Sequence, residues 1–276
     1  MPETSKPALE VITRRPEGPP RPTPLLFVHG SYGGAWVWDR HFLPFFAHHG
    51  YVAHALSLRG HGRSAGRDLF LFTRLRDYVA DLEQVVAALP SPPVLIGHSL
   101  GGMVVQHALR RHRVPGVVLM ASVPPRGLLG SILSMMTFDP WLFWQMVWVQ
   151  ALGPWVADPG LIHRALVSEG TPSEALDPYY TRFQHEPPAV VLDLIGLDLP
   201  PSRPLEDLPA LVLGAAGDRF VYRDAVEVTA RSFRTRAEVL PELGHAMMLD
   251  RGWEAAARHI LVWLEALSPN GTARTR

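Results

Sequence analysis

The stretch Gly97-His98-Ser99-Leu100-Gly101 puts a serine between two glycines. A short apolar run, Val94 to Ile96, leads into it, and an amphipathic stretch leads out. That strand–turn–helix context is what a nucleophile elbow requires. On so tight a turn the serine backbone must be strained for its Oγ to project, and a Cβ at 97 or 101 would clash with the neighbouring turn. The helix starting near Leu100 would aim free N–H groups and its positive dipole end at the site. The plainer role for Ser99 is an N-cap of a glycine-rich helix start.

A serine hydroxyl attacks only when a base removes its proton. The chain has 13 histidines, so position must choose among them. His245 ends the strand-and-loop "EVLPELGH" and precedes the last helical pattern, which makes it the expected base. His259 falls inside that last helix, and His107 and His112 lie on the helix after the elbow, pointing away from its start. For the acid, Asp218 directly follows the apolar strand "LVLGAAG", from which a carboxylate can reach the imidazole and hold its tautomer. Asp224 and Glu242 are the fallbacks, and Asp218 could instead be only a helix N-cap. An oxyanion needs backbone donors. The Leu100 amide is one; the loop "VHGSYGGAWVW" supplies the other, with Ser31 preferred over Tyr32.

These residues need a frame that brings four distant segments together. From Leu25 onward, near-continuous apolar runs alternate with segments of helical period: "LLFVHG", "YVAHALSLRG", "PVLIG", "PGVVLMAS", "PALVLGAAGD" and "AEVLPELGH" read as strands. "TRLRDYVADLEQVVAAL" places Leu75, Tyr78, Val79, Leu82, Val85, Val86 and Leu89 at helical spacing. Such alternation predicts an α/β fold, a mostly parallel central sheet with helices on both faces. The expected division is a possible strand and Pro-rich stretch over 1–24, a core of 25–121 and 209–276, and a helical cap inserted over 122–208. The cap would lie over the carboxyl edge of the sheet, where ligands of open α/β folds bind. Trp141, Trp144 and Trp148 fall on one helix face, either packing on the main domain or lining an acyl pocket. Tyr32, His98, Trp144, Trp148 and Met247 are the candidate pocket residues.

Composition excludes several chemistries. Lys+Arg and Asp+Glu balance at 26 each, which gives no reason to expect a nucleic-acid partner. Cysteine is absent and Lys6 is the only lysine, so thiolate nucleophiles, disulfides and a Schiff base in the body of the chain are excluded. There is no HExxH and no phosphate-binding glycine loop, so neither metal nor cofactor is expected. The N-terminal "MPETSKPALE" has no apolar segment of signal type, and the run from Trp141 to Val156 is interrupted by Gly153-Pro154 and too short to span a bilayer. A cytoplasmic protein without a transmembrane segment, acting on a small ester, is expected.

Five elements in order, HGS at 29–31, RGHGRS at 59–64, GHSLGG at 97–102, Asp218 and His245, resemble the α/β-hydrolase fold superfamily, in its capped group of serine esterases and lipases. The resemblance implies an α/β-hydrolase fold and a Ser99–Asp218–His245 triad. It also implies a mainly structural RGHGRS loop, which keeps Arg59, His61 and Arg63 outside the catalytic set. Serine at the elbow argues against dehalogenases and most epoxide hydrolases, which carry aspartate there. Cofactor-free haloperoxidases and perhydrolases keep the serine triad, so their reactions stay open as side activities. The plant hydroxynitrile lyases need a lysine after the catalytic histidine, where this chain has Ala246. Carbon–carbon hydrolases typically carry methionine after the serine, so Leu100 leans towards esters. The expected activity is hydrolysis of carboxylic esters with apolar acyl or alcohol groups. The rivals are a carbon–carbon hydrolase or acyltransferase with the same triad, and a ligand-binding receptor on this scaffold.

Overall fold

The computed structural model describes residues 7–200 and 208–267; of the expected segments, 1–6, 201–207 and 268–276 lie outside it. The described residues form seven strands: β1 (Val11–Arg14), β2 (Leu25–Val28), β3 (Ala53–Leu56), β4 (Val94–His98), β5 (Val117–Met120), β6 (Ala210–Ala215) and β7 (Ala237–Leu240). The sheet order is β1-β3-β2-β4-β5-β6-β7, with β1 antiparallel to β3 and every other pair parallel. Strands β2 to β5 are buried along their whole length, which is why they read as unbroken apolar runs rather than as alternation.

The helices are α1 (Trp36–Asp39), α2 (Phe42–His48), α3 (Leu75–Ala88), α4 (Leu100–Ala108), α5 (Leu129–Phe138), α6 (Pro140–Leu152), α7 (Pro159–Leu166), α8 (Asp177–Tyr180), α9 (Pro188–Leu192), α10 (Arg223–Ser232) and α11 (Trp253–Ala266). Because strand side chains alternate, β2 feeds two cores. Leu25 and Phe27 pack with Trp38, Phe42 and Phe46 of α1 and α2 and Ile260 of α11. Leu26 and Val28 pack with Tyr78, Leu82, Met103 and Val104 of α3 and α4 and Val226 of α10. Helices α5 to α9 form the insertion between β5 and β6.

The order explains where a site must form. From β2 the chain crosses to β3 on one side, then returns to β4 on the other. The loops leaving β2 and β4 therefore diverge, and open α/β sheets bind ligands in the crevice between two such loops. The register Val28↔Gly97 brings those two strand ends level.

Candidate active site

Ser99 sits between β4 and α4 with φ 52° and ψ −119°, in the positive-φ region that non-glycine residues rarely occupy. Hydrogen bonds to the neighbouring strand's end hold it there: its amide donates to the Met120 carbonyl (3.1 Å), and its own carbonyl accepts from Val123 N (3.1 Å). The flanking glycines are enforced by contact. A Cβ on Gly97 would lie 2.6 Å from the Gly101 carbonyl oxygen, and one on Gly101 would collide with the carbonyls of Val28 and His29. Leu100 is the first residue of α4, so its amide has no partner within the helix.

His245 and Asp218 leave the carboxyl ends of β7 and β6. Asp218 Oδ2 accepts from His245 Nδ1 at 2.8 Å, and its Oδ1 accepts the amides of Phe220 (2.8 Å) and Val221 (2.9 Å). Both carboxylate oxygens are thereby fixed, and the imidazole keeps its Nε2 lone pair free for a proton. The Phe220 ring packs edge-on to His245, with centroids 4.9 Å apart. Asp224 and Glu242 are not bonded to His245 among the described residues.

The loop after β2 approaches the elbow closely. A Cβ on Gly30 would lie 2.8 Å from His98 Nδ1 and 2.9 Å from Ser99 Cβ. His29 ties this loop to β3: its Nε2 accepts the Leu58 amide (3.0 Å), which requires the proton on Nδ1, 2.8 Å from the Gly30 carbonyl. Burial, with repulsion from His61, lowers its pKa to about 3, so this histidine stays neutral. Of the two amides considered for the oxyanion, that of Tyr32 is engaged by Glu186 Oε2 (3.1 Å), and that of Ser31 makes no hydrogen bond among the described residues. The Tyr32 phenol is held protonated by burial and by the Glu186 charge.

A cavity of about 740 Å³ has Ser31, Tyr32, His98, Ser99 and His245 in its wall. Residues of α5 and α6, among them Met135, Leu142, Phe143 and Met146, close its far side. Three expected pocket residues lie elsewhere. Trp144 and Trp148 are 56% and 53% exposed and, with Trp141, form the outer face of α6. The inner face is taken by Leu142, Met146 and Val149 at i, i+4 and i+7. Met247 is buried in the core beside α11, and its neighbour Met248 lines the cavity instead. Successive side chains diverge, so only one of the pair can face it.

The sequence model of the alpha/beta hydrolase family matches residues 25–259. The chain belongs to the alpha/beta hydrolase family. Among curated relatives it is similar to a non-heme haloperoxidase of Rhodococcus erythropolis, 39% identical over 110 residues, covering 37% of this chain and 38% of that protein. It is also similar to protein phosphatase methylesterase 1 of Bos taurus, 31% identical over 141 residues, covering 49% of this chain and 36% of that one. These matches thus span less than half of the relatives' length. A solved esterase from Thermogutta terrifontis superposes with a TM-score of 0.73 at 20% identity, covering 95% and 94% of the two chains; at that identity the likeness is one of fold.

Within this alpha/beta hydrolase three buried carboxylates that sequence reasoning did not single out organise the surroundings. Asp81 of α3 accepts from the amide and the guanidinium of Arg59 (2.8 Å and 2.6 Å) and pins the RGHGRS loop. Its place one helical step from Tyr78 and Val85, on an apolar stripe, was the available signal. Asp250 accepts from Gly244 N (2.9 Å), Ser168 N (2.7 Å) and Thr171 Oγ1 (2.9 Å), joining the His245 loop to the insertion. Glu186, between α8 and α9, reaches Tyr32 as described and also accepts from the Tyr78 hydroxyl (2.7 Å). No spacing marks either of these two. No cluster of three or more potential metal ligands, and no helix long and apolar enough to cross a membrane, occurs among the described residues.

Proposed function

We propose that this chain is a serine hydrolase that cleaves neutral carboxylic esters with an apolar acyl or alcohol part. The cavity carries the reading: Ser99 and His245 stand in a wall that contains no Lys, Arg, Asp or Glu side chain among the described residues. An anionic substrate would lose its hydration there without gaining a partner. Pockets for small ligands run from about 300 to 1,000 Å³, so the volume suits an acyl or alcohol group well beyond acetate.

In this reading Ser99 Oγ adds to the ester carbonyl carbon as its proton passes to His245 Nε2. The carbonyl electron pair moves onto oxygen, which the Ser31 and Leu100 amides hold. The tetrahedral adduct collapses, the C–O bond to the alcohol breaks, and His245 returns the proton to the departing oxygen. Water then attacks the acyl-enzyme by the same route, releasing the acid and restoring Ser99. Asp218 fixes the imidazole tautomer and stabilises the imidazolium.

The test is a p-nitrophenyl ester series from acetate to palmitate, run on the native chain and on Ser99→Ala. Rising kcat/KM beyond acetate and a loss on the order of 10⁴ to 10⁶ in the folded variant are expected. Substantial ester turnover without Ser99, or none on any chain length with it, overturns the proposal.

A further inference from the structure

Glu186 belongs to the insertion, yet its carboxylate lies beneath the loop that follows β2, 1% exposed. It accepts the Tyr32 amide through Oε2 and the Tyr78 hydroxyl through Oε1, and His61 Nε2 stands 3.6 Å from Oε2. Two neighbouring groups of the insertion grip the same residue. Gln184 N donates to the Tyr32 carbonyl at 2.9 Å. The Tyr32 hydroxyl donates to Gln150 Oε1 at 2.7 Å, and Gln150 Nε2 donates in turn to the Glu186 carbonyl at 2.8 Å. Gln184 Oε1 also accepts the Gly62 amide at 2.5 Å, tying the RGHGRS loop into the same knot. Every polar group of Tyr32 is therefore bound, and every partner comes from the insertion.

That grip has a conformational reason. Tyr32 has φ 62°, a left-handed backbone that is unfavourable for a non-glycine residue and persists only where the surroundings over-determine it. The Ser31–Tyr32 peptide is planar, so fixing the Tyr32 amide fixes the plane that ends Ser31. The Ser31 amide is then free to turn only about the two dihedrals of its own residue.

We infer that Glu186 is a positioning residue: through Tyr32 it sets the direction of the Ser31 amide, so that the insertion must be seated for the oxyanion to be stabilised. The inference rests on the ester-hydrolysis reading above. A donor displaced by a fraction of an ångström weakens the charged adduct far more than the neutral substrate. The readout that separates positioning from general loosening is therefore the contrast between two ligands of one shape.

The experiment compares native chain, Glu186→Gln and Glu186→Leu for binding of an alkyl trifluoromethyl ketone, which forms a tetrahedral oxyanion adduct with a serine, and of the matching methyl carbinol, which cannot. Ester kcat and KM are measured alongside. For Glu186→Leu, ketone affinity and kcat should fall about 30- to 100-fold, the range a small misplacement of catalytic groups produces, while carbinol affinity and KM change little. Glu186→Gln keeps an acceptor oxygen for the Tyr32 amide and should recover most of the loss, with kcat about 3- to 10-fold below native, a smaller loss than removing an oxyanion donor outright. Should the leucine variant fail to fold, the glutamine variant decides alone: native kcat and native ketone affinity overturn the inference. Equal losses for ketone and carbinol overturn it too, since that marks a loosened pocket. A native chain that neither turns over esters nor binds the ketone more tightly than its Ser99→Ala variant condemns the underlying reading instead.

Discussion

His98 Nε2 donates to the backbone carbonyl of His245, 2.9 Å away, and the two rings lie 4.7 Å apart. The residue before the elbow serine thus holds the backbone of the proposed base. Burial, reinforced by the neighbouring His245, keeps the His98 pKa well below 6.5, so it remains neutral with its proton on the nitrogen that faces the carbonyl.

Replacing that donor by an apolar group of similar size should loosen the base without emptying the site. For His98→Leu we expect kcat on a short neutral ester to fall about tenfold, with KM little changed. His98→Gln, which can offer an N–H from the same region, should lose less. Steady-state kinetics of the three chains check this, and native kcat in the leucine variant would remove the role.

Asp218→Asn tests the tautomer. The amide oxygen can still accept from Phe220 and Val221, so folding should survive. The NH₂ group then faces His245 Nδ1 and drives the proton to Nε2, where the lone pair is needed. Turnover should drop on the order of 10⁴, with thermal unfolding close to native. A loss of less than tenfold would point to another acid.

His29 makes stability pH-dependent in a defined direction. In the unfolded chain it takes up a proton as pH falls below 6.5, while in the folded chain it resists until about 3. The unfolded state therefore binds more protons in that window, and stability declines from pH 6.5 towards 3, with no contribution above it. Denaturant titrations at pH 7, 6, 5 and 4 should show a shallower decline for His29→Gln, by up to about one proton in slope. Identical slopes would contradict the buried neutral assignment.

The two faces of α6 should separate in substrate profile. Trp144→Ala and Trp148→Ala remove exposed rings, and the chain-length dependence of kcat/KM should stay native. Met146→Ala removes cavity wall and should cut the preference for long acyl chains by about 1–3 kcal/mol, or roughly 5- to 150-fold. A shifted profile in the tryptophan variants would mean that this helix meets substrate on its outer side.

How far the sequence could be read follows from what fixed each element. The strands were legible because β2 to β5 are covered on both faces, so nothing but apolar residues fits. The elbow was legible because Gly97 and Gly101 have no room for a Cβ. The seating of α6 was not: apart from Gln145 and Gln150 its residues are apolar on every side, so period alone showed that Trp141, Trp144 and Trp148 share a face without showing which way it turns. Met247 was misplaced for a related reason, since adjacent identical side chains carry no sign of which faces inward. Glu186 was hidden because its partners come from segments distant in sequence, and so was the role of Asp250 in holding Ser168 and Thr171; a carboxylate among prolines or in a loop has no period to betray it.

The three-point hold on Tyr32 bears on how substrate range could be changed. A chimera that exchanges the insertion for that of a relative would carry away Gln150, Gln184 and Glu186 together, and leave a tyrosine in a backbone conformation nothing then enforces. If Tyr32 orients the Ser31 amide as proposed, walls and donor geometry are inherited as one piece. New specificity is therefore more accessible through point changes along the inner face of α6 than through transplantation of the whole segment.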